Sequence, residues 1–132
     1  MNYTMDKNYK YYAFISYSRQ DEEWAMWLQH ELENYHLPDT LKNHEDLPKE
    51  FRPVFRDVDE LSAGKLPDQI YEALKSSENL IVICSPRAVK SKWVNKEITD
   101  FIEIGRNKGV NNFERIFPFI IEGVPDARDE AQ

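Results

Sequence analysis

An α/β domain built on an open parallel sheet is the fold this sequence predicts, and three observations carry that prediction. Apolar, β-branched stretches alternate with amphipathic ones in the order strand, helix, strand, helix, strand, helix, strand. Such alternation implies βαβ units with helices on both faces of the sheet. The run Leu80-Ile81-Val82-Ile83-Cys84 is apolar without a break, as a parallel strand covered on both faces has to be. Finally, 132 residues of which 41% are hydrophobic suit a single domain. A chain of that size buries roughly two-thirds of its unfolded surface without staples.

Residues 1–10 are polar and read as a disordered lead-in. Tyr12-Ala13-Phe14-Ile15-Ser16-Tyr17 is aromatic and β-branched and stops at Ser18-Arg19-Gln20-Asp21, which makes it the first strand. Asp21 or Ser18 is placed to cap a helix whose first turn carries Glu22 and Glu23, where the helix dipole favours acids. Trp24, Trp27, Leu28, Leu32 and Tyr35 then recur at helical spacing. From His36 to Glu50, two prolines and many polar residues predict a loop. Val54-Phe55 is a short second strand that leads into a charged loop from Arg56 to Leu66.

Pro67 suits the first turn of the next helix, where its missing N–H costs nothing, and Ile70, Ala73 and Leu74 supply the buried stripe. The third strand is expected over 79–84, and Ser85-Pro86 stops it. One helix or two short ones fill about 87–106. Ile116-Phe117 and Phe119-Ile120-Ile121 form a fourth strand interrupted by Pro118, which a central strand tolerates poorly. After Glu122 the chain turns polar, and residues 124–132 read as a tail or the start of a linker.

Charge and composition narrow the function. Lys and Arg number 17 against 24 Asp and Glu, a net charge of −7 with no basic block. That balance argues against nucleic acid or an anionic membrane as partner. One cysteine excludes a disulfide framework and a cysteine-built zinc site, and the chain is expected to be cytoplasmic. His30, His36 and His44 lack metal-ligand spacing, so they read as surface residues and no metal is expected. Cys84, inside an apolar strand, reads as core.

The most informative segment runs from Lys92 to Arg106. On a helical wheel with Trp93 at zero, Ile104, Phe101, Val94, Ile98 and Ile102 fall between about 20° and 180°. Glu97 lands at about 40°, between Trp93 and Phe101, as the one polar side chain in the apolar arc. Desolvating an ion costs several kcal/mol, so a glutamate there needs a reason. It either pairs with an arginine or a helix N-terminus, or it is the charged group of a cleft. In open parallel sheets ligands bind beyond the carboxyl ends of the strands, where strand order reverses. Tyr17-Ser18-Arg19, the loop after Arg56 and Ser85-Pro86 all converge on that edge. Arg19, Arg56, Lys65 and Arg87 lie close to it and would suit a phosphate-bearing ligand, or else they are solvated partners of nearby acids.

Three motifs then resemble those of Toll/interleukin-1 receptor (TIR) domains. Tyr12-Ala13-Phe14-Ile15-Ser16-Tyr17 is similar to the family's opening motif, with Tyr12 where an Asp usually stands. Arg56-Asp57 followed by Ala63-Gly64-Lys65 resembles the second box and the BB loop, in the longer form without the receptor-type Pro-Gly. Trp93 to Glu97 is Trp-x-x-x-Glu, resembling NAD-cleaving TIR domains of bacteria, plants and the animal axon-degeneration enzyme. The likeness covers residues 11–123.

The resemblance implies a flavodoxin-like fold of five parallel strands. Four are visible here, so the last elements are expected to be truncated or abbreviated. It further implies an NAD⁺ glycohydrolase that releases nicotinamide and ADP-ribose or a cyclic isomer. Such an enzyme would be activated by assembly with other TIR domains, in a setting such as bacterial antiphage defence. Glu97 is then the catalytic residue. Phe14, Tyr17, Ser18, Arg19, Asp57, Gly64, Lys65 and Trp93 contact the substrate, while Asp59, Glu60, Leu61, Ser62, Ala63 and Leu66 contact a neighbouring subunit. NAD⁺ is the substrate, with no separate cofactor. The alternative is a non-catalytic module that only makes TIR–TIR contacts. A phospho-acceptor receiver shares the fold, but the sequence lacks an acidic pair near the first strand joined to an Asp ending the third.

Overall fold

The structure, a computed structural model, describes residues 9–35, 38, 40, 51–57 and 68–122. Among these, four strands form one parallel sheet: β1 (Tyr11–Ser16), β2 (Val54–Arg56), β3 (Ser77–Cys84) and β4 (Ile116–Ile120). Their order across the sheet is β2-β1-β3-β4. Ala13 lies opposite Val54 on one side and Asn79 on the other, and Leu80 lies opposite Ile116. The helices are α1 (Glu22–Glu33), α2 (Asp68–Lys75), α3 (Pro86–Val89) and α4 (Lys92–Lys108). This is the flavodoxin-like order, in which the chain first builds outward to β2 and then crosses β1 to continue with β3. The winding therefore reverses between β1 and β3.

Period-2 alternation along the strands divides the core into two layers. Phe14, Leu80 and Val82 pack with Leu74 of α2 and with Val94, Phe101 and Ile104 of α4. Ile15, Val54 and Ile83 pack with Ala25 and Leu28 of α1 on the opposite face. Burying those side chains is the main favourable term for the fold, at about 25 cal/mol per Å² of apolar surface removed from water. Pro118 sits opposite Val82 in β4, at one side of the described sheet, where a missing N–H breaks no ladder bond on the outer side.

The 87–106 region resolves into two helices. Ser85 caps α3 and Ser91 caps α4, each accepting a backbone N–H from three residues on. Gly109 ends α4 in the left-handed conformation at φ 75°, which a side chain would strain. Three local expectations change. Tyr35 falls beyond α1, is 49% exposed and packs its ring against Phe51, because the helix stops at Glu33. The third strand begins at Ser77, two residues early, since Ser77 and Glu78 are buried although polar. Neither Ser18 nor Asp21 caps a helix through its side chain. Asp21 is instead committed across the fold, as described below.

Candidate functional site

Glu97 projects from the second turn of α4 toward the carboxyl end of β1. The apolar stripe of Val94, Phe101 and Ile104 docks α4 against the sheet and carries Glu97 inward with it. It is 1% exposed. The Ser16 hydroxyl, at the last position of β1, donates to Glu97 Oε1 at 2.6 Å. Oε2 is buried without a hydrogen-bond partner, and no cation pairs with this carboxylate among the described residues. The ion-pair reading of the glutamate is thereby set aside.

Burial pushes the Glu97 carboxyl up from 4.5 to about 8. The Ser16 hydrogen bond opposes that rise, the Asp57 carboxylate adds to it, and Asp100 adds a little more. Trp93 also opposes it, through an indole near the carboxyl that does not reach hydrogen-bond geometry on Oε2.

A hollow of about 20 Å³ opens beside this group, lined among the described residues by Ile15, Tyr17, Arg19, Glu22, Asp57, Trp93 and Glu97. Such a volume holds about one water. Its lining residues Tyr17, Asp57 and Glu22 belong to a linked set of polar groups that includes Arg56 and Gln29. Tyr17 donates its hydroxyl to the Asp57 carbonyl. Arg56 reaches the Tyr17 hydroxyl at 3.4 Å, Gln29 Oε1 at 2.9 Å and Glu22 at 3.5 Å. Burial raises the Tyr17 phenol above its ordinary 10.0, with Arg56 opposing. A second, wider hollow of about 460 Å³ lies beyond Arg19 and Glu22, which line both, and is bordered by Gln20, Asp21, Glu23, Trp24 and Arg87.

Of the residues singled out in the sequence, the structure brings together Tyr17, Arg19, Asp57, Trp93 and Glu97. It does not bring in Phe14, which is fully buried and stacked on Phe55 with ring centroids 5.1 Å apart. Phe14 shares a face with Ser16 but lies one row deeper, under α2 and α4, so it is core and not lining. Ser18 is not in the lining either; its carbonyl accepts the Asp21 N–H at 2.7 Å. Asp59, Glu60, Leu61, Ser62, Ala63, Gly64, Lys65 and Leu66 lie outside the described residues. Of the cations near the edge, Arg56 engages Glu22 and Gln29, and Arg87 engages Asp21.

Sequence reasoning missed Ser16, Ile15 and Glu22. Ser16 had a usable signal, since it is a polar residue that closes an otherwise apolar strand on the same face as Phe14. Glu22 had none beyond its helix-start chemistry.

The chain matches the family described as TIR domain over residues 13–131, and it belongs to that family. It is also similar to Protein toll of Drosophila melanogaster, with 29% identity over 105 residues. The aligned part is 80% of this chain and 9% of that protein, so the chain spans under a tenth of the relative's length. Among the described residues, no helix is long and apolar enough to cross a membrane.

Proposed function

We propose that this TIR domain is an NAD⁺ glycohydrolase in which Glu97 is the catalytic residue. The observation that carries the reading is a buried carboxylate with one oxygen held by Ser16, the other unpaired, and a hollow alongside. The Glu97 carboxylate pairs with no cation among the described residues, and the nicotinamide end of NAD⁺ is one. The pyridinium entering beside Glu97 supplies the opposite charge that favours the ionised carboxylate.

The chemistry follows from that pairing. As the bond from the ribose C1′ to the pyridinium nitrogen lengthens, both of its electrons go to nitrogen and nicotinamide leaves neutral. No acid is needed to protonate it. Positive charge passes to the ribose as an oxocarbenium-like centre, as in glycoside hydrolysis. Glu97 stabilises that charge electrostatically and accepts from the ribose hydroxyls through its unpaired oxygen. Water then adds to C1′ and releases one proton, giving ADP-ribose, while attack by another atom of the same molecule gives a cyclic isomer. Tyr17, Arg19, Asp57 and Trp93 form the walls, and the wider hollow beyond Arg19 offers room for the rest of the dinucleotide.

A ribose with nicotinamide attached exceeds the roughly one-water volume at Glu97, so binding displaces lining groups such as Tyr17, which is bonded to the Asp57 carbonyl. We assign that displacement to assembly with other TIR domains, through the segment that follows Asp57. The small hollow is also the observation that favours the second reading, a domain that only makes TIR–TIR contacts. Incubating concentrated or crowded protein with NAD⁺ and measuring free nicotinamide separates the two. The enzyme reading expects release by the unaltered chain and none by Glu97→Ala; equal release by both overturns Glu97 as catalyst.

A further inference from the structure

We propose that Asp21 is a positioning residue for the Glu97 site, a clasp that sets how closely the turn after β1 approaches the turn after β3. The proposal rests on the reading of Glu97 given above. Asp21 stands at the N-terminus of α1, where an acid would ordinarily cap the helix and face solvent. It caps nothing and is 2% exposed. Arg87 of α3 donates to Asp21 Oδ1 through Nε at 2.7 Å and lies 2.6 Å from it through Nη2. The Ser85 hydroxyl donates to Oδ2, and Ser85 Oγ accepts the Ala88 N–H at 3.0 Å, so the clasp and the cap of α3 share one atom.

The linkage spans 64 and 66 residues and joins the loops that follow the two central strands. On one side, Arg19 and Glu22 flank Asp21 in the chain and line the hollow over Glu97. On the other, Ser85 and Arg87 lead through α3 into α4, which carries Trp93 and Glu97. A charge-assisted pair in which both guanidinium donors converge on the carboxylate resists sliding as well as separation. Loosening it lets the Arg19–Asp21 turn lift from the β3 side and admits water to the hollow. Better hydration favours the ionised form of Glu97.

The groups facing Glu97 are Ser16 from β1, Asp57 after β2, and Trp93 and Asp100 from its own helix, with Tyr17, Arg19 and Glu22 around the hollow. Substituting the clasp replaces none of them and leaves Ser16, Asp57, Trp93 and Asp100 in place, so a change in Glu97 titration reports the movement of the Arg19–Glu22 turn and the water it admits.

The test uses the full chain as Asp21→Asn and Arg87→Lys, with Glu97 followed by carboxyl carbon NMR against pH and nicotinamide release measured in parallel. Arg87 is 37% exposed at its side chain, so Arg87→Lys keeps the charge and the fold even where Asp21→Asn is too unstable to study. The Glu97 midpoint is expected to fall by about one pH unit in each folded variant. At pH above the midpoint, where Glu97 is ionised in every protein compared, the kcat/KM for NAD⁺ is expected to drop about tenfold through lost positioning. An unmoved midpoint in folded Arg87→Lys overturns the clasp. Because the titration needs no turnover, a shifting midpoint in a chain that never releases nicotinamide supports the clasp while refuting the glycohydrolase.

Discussion

Asp21 and Glu97 are both carboxylates sealed at the carboxyl edge of the sheet, 2% and 1% exposed, yet their surroundings differ sharply. Asp21 meets two guanidinium nitrogens and a serine hydroxyl. Glu97 meets one serine hydroxyl and keeps an oxygen unpaired. Burying an ion costs several kcal/mol, and a well-oriented partner returns much of that cost. Asp21 has the partner and holds two loops together. Glu97 lacks it, and the fold carries an acid whose ionised form gains when a cation arrives from outside. Two acids with the same burial thus differ in kind: one is paired and joins two loops, and the other keeps an oxygen open beside the hollow.

The comparison is easiest to break at Glu97. Glu97→Ala is expected to cut nicotinamide release by a factor of about 10³ or more while the protein still melts cooperatively, measured by chromatography of the released base. Next in size is a pH effect on stability. Between the free value of 4.5 and the folded value of about 8, the folded state holds a proton that the unfolded state has lost. Stability therefore falls as pH rises from about 4.5 to about 8 and then levels off, a contribution on the order of 5 kcal/mol. Urea midpoints at acid, neutral and alkaline pH read this slope, which Glu97→Gln should abolish.

A third measurement sharpens the contrast by making the same change, acid to amide, at both positions. Asp21→Asn is expected to lower stability by about 2 kcal/mol through loss of a charge-assisted pair. Glu97→Gln is expected to raise it at alkaline pH. Melting shifts of the same sign in the two variants would remove the distinction. The smallest effect belongs to Ser16→Ala. With its hydroxyl donor gone, Glu97 holds its proton more tightly, and the pH–rate profile moves about one unit toward alkaline.

How much of this was legible in the sequence depends on distance along the chain. The alternation of elements and the unbroken Leu80–Cys84 run contain the parallel sheet, because periodicity is local. Glu97 stood out for the same reason, as a polar residue inside a helical stripe that neighbours within two turns define. What the glutamate meets was not legible, since Ser16 is 81 residues away. Asp21 misled for a related reason. Its local setting is that of a cap, but its partners lie 64 and 66 residues on, and long-range pairing overrode the capping preference. Phe14 was placed in the site by motif, whereas its row in the strand puts it beneath two helices.

The most direct measurement is kcat/KM for NAD⁺ against pH, run on the unaltered chain beside Glu97→Ala. Because kcat/KM reports ionisations of the free enzyme, the account predicts a rise through a midpoint near 8 that is absent from the variant. A profile flat across that range, or a variant that turns over as fast as the unaltered chain, contradicts it.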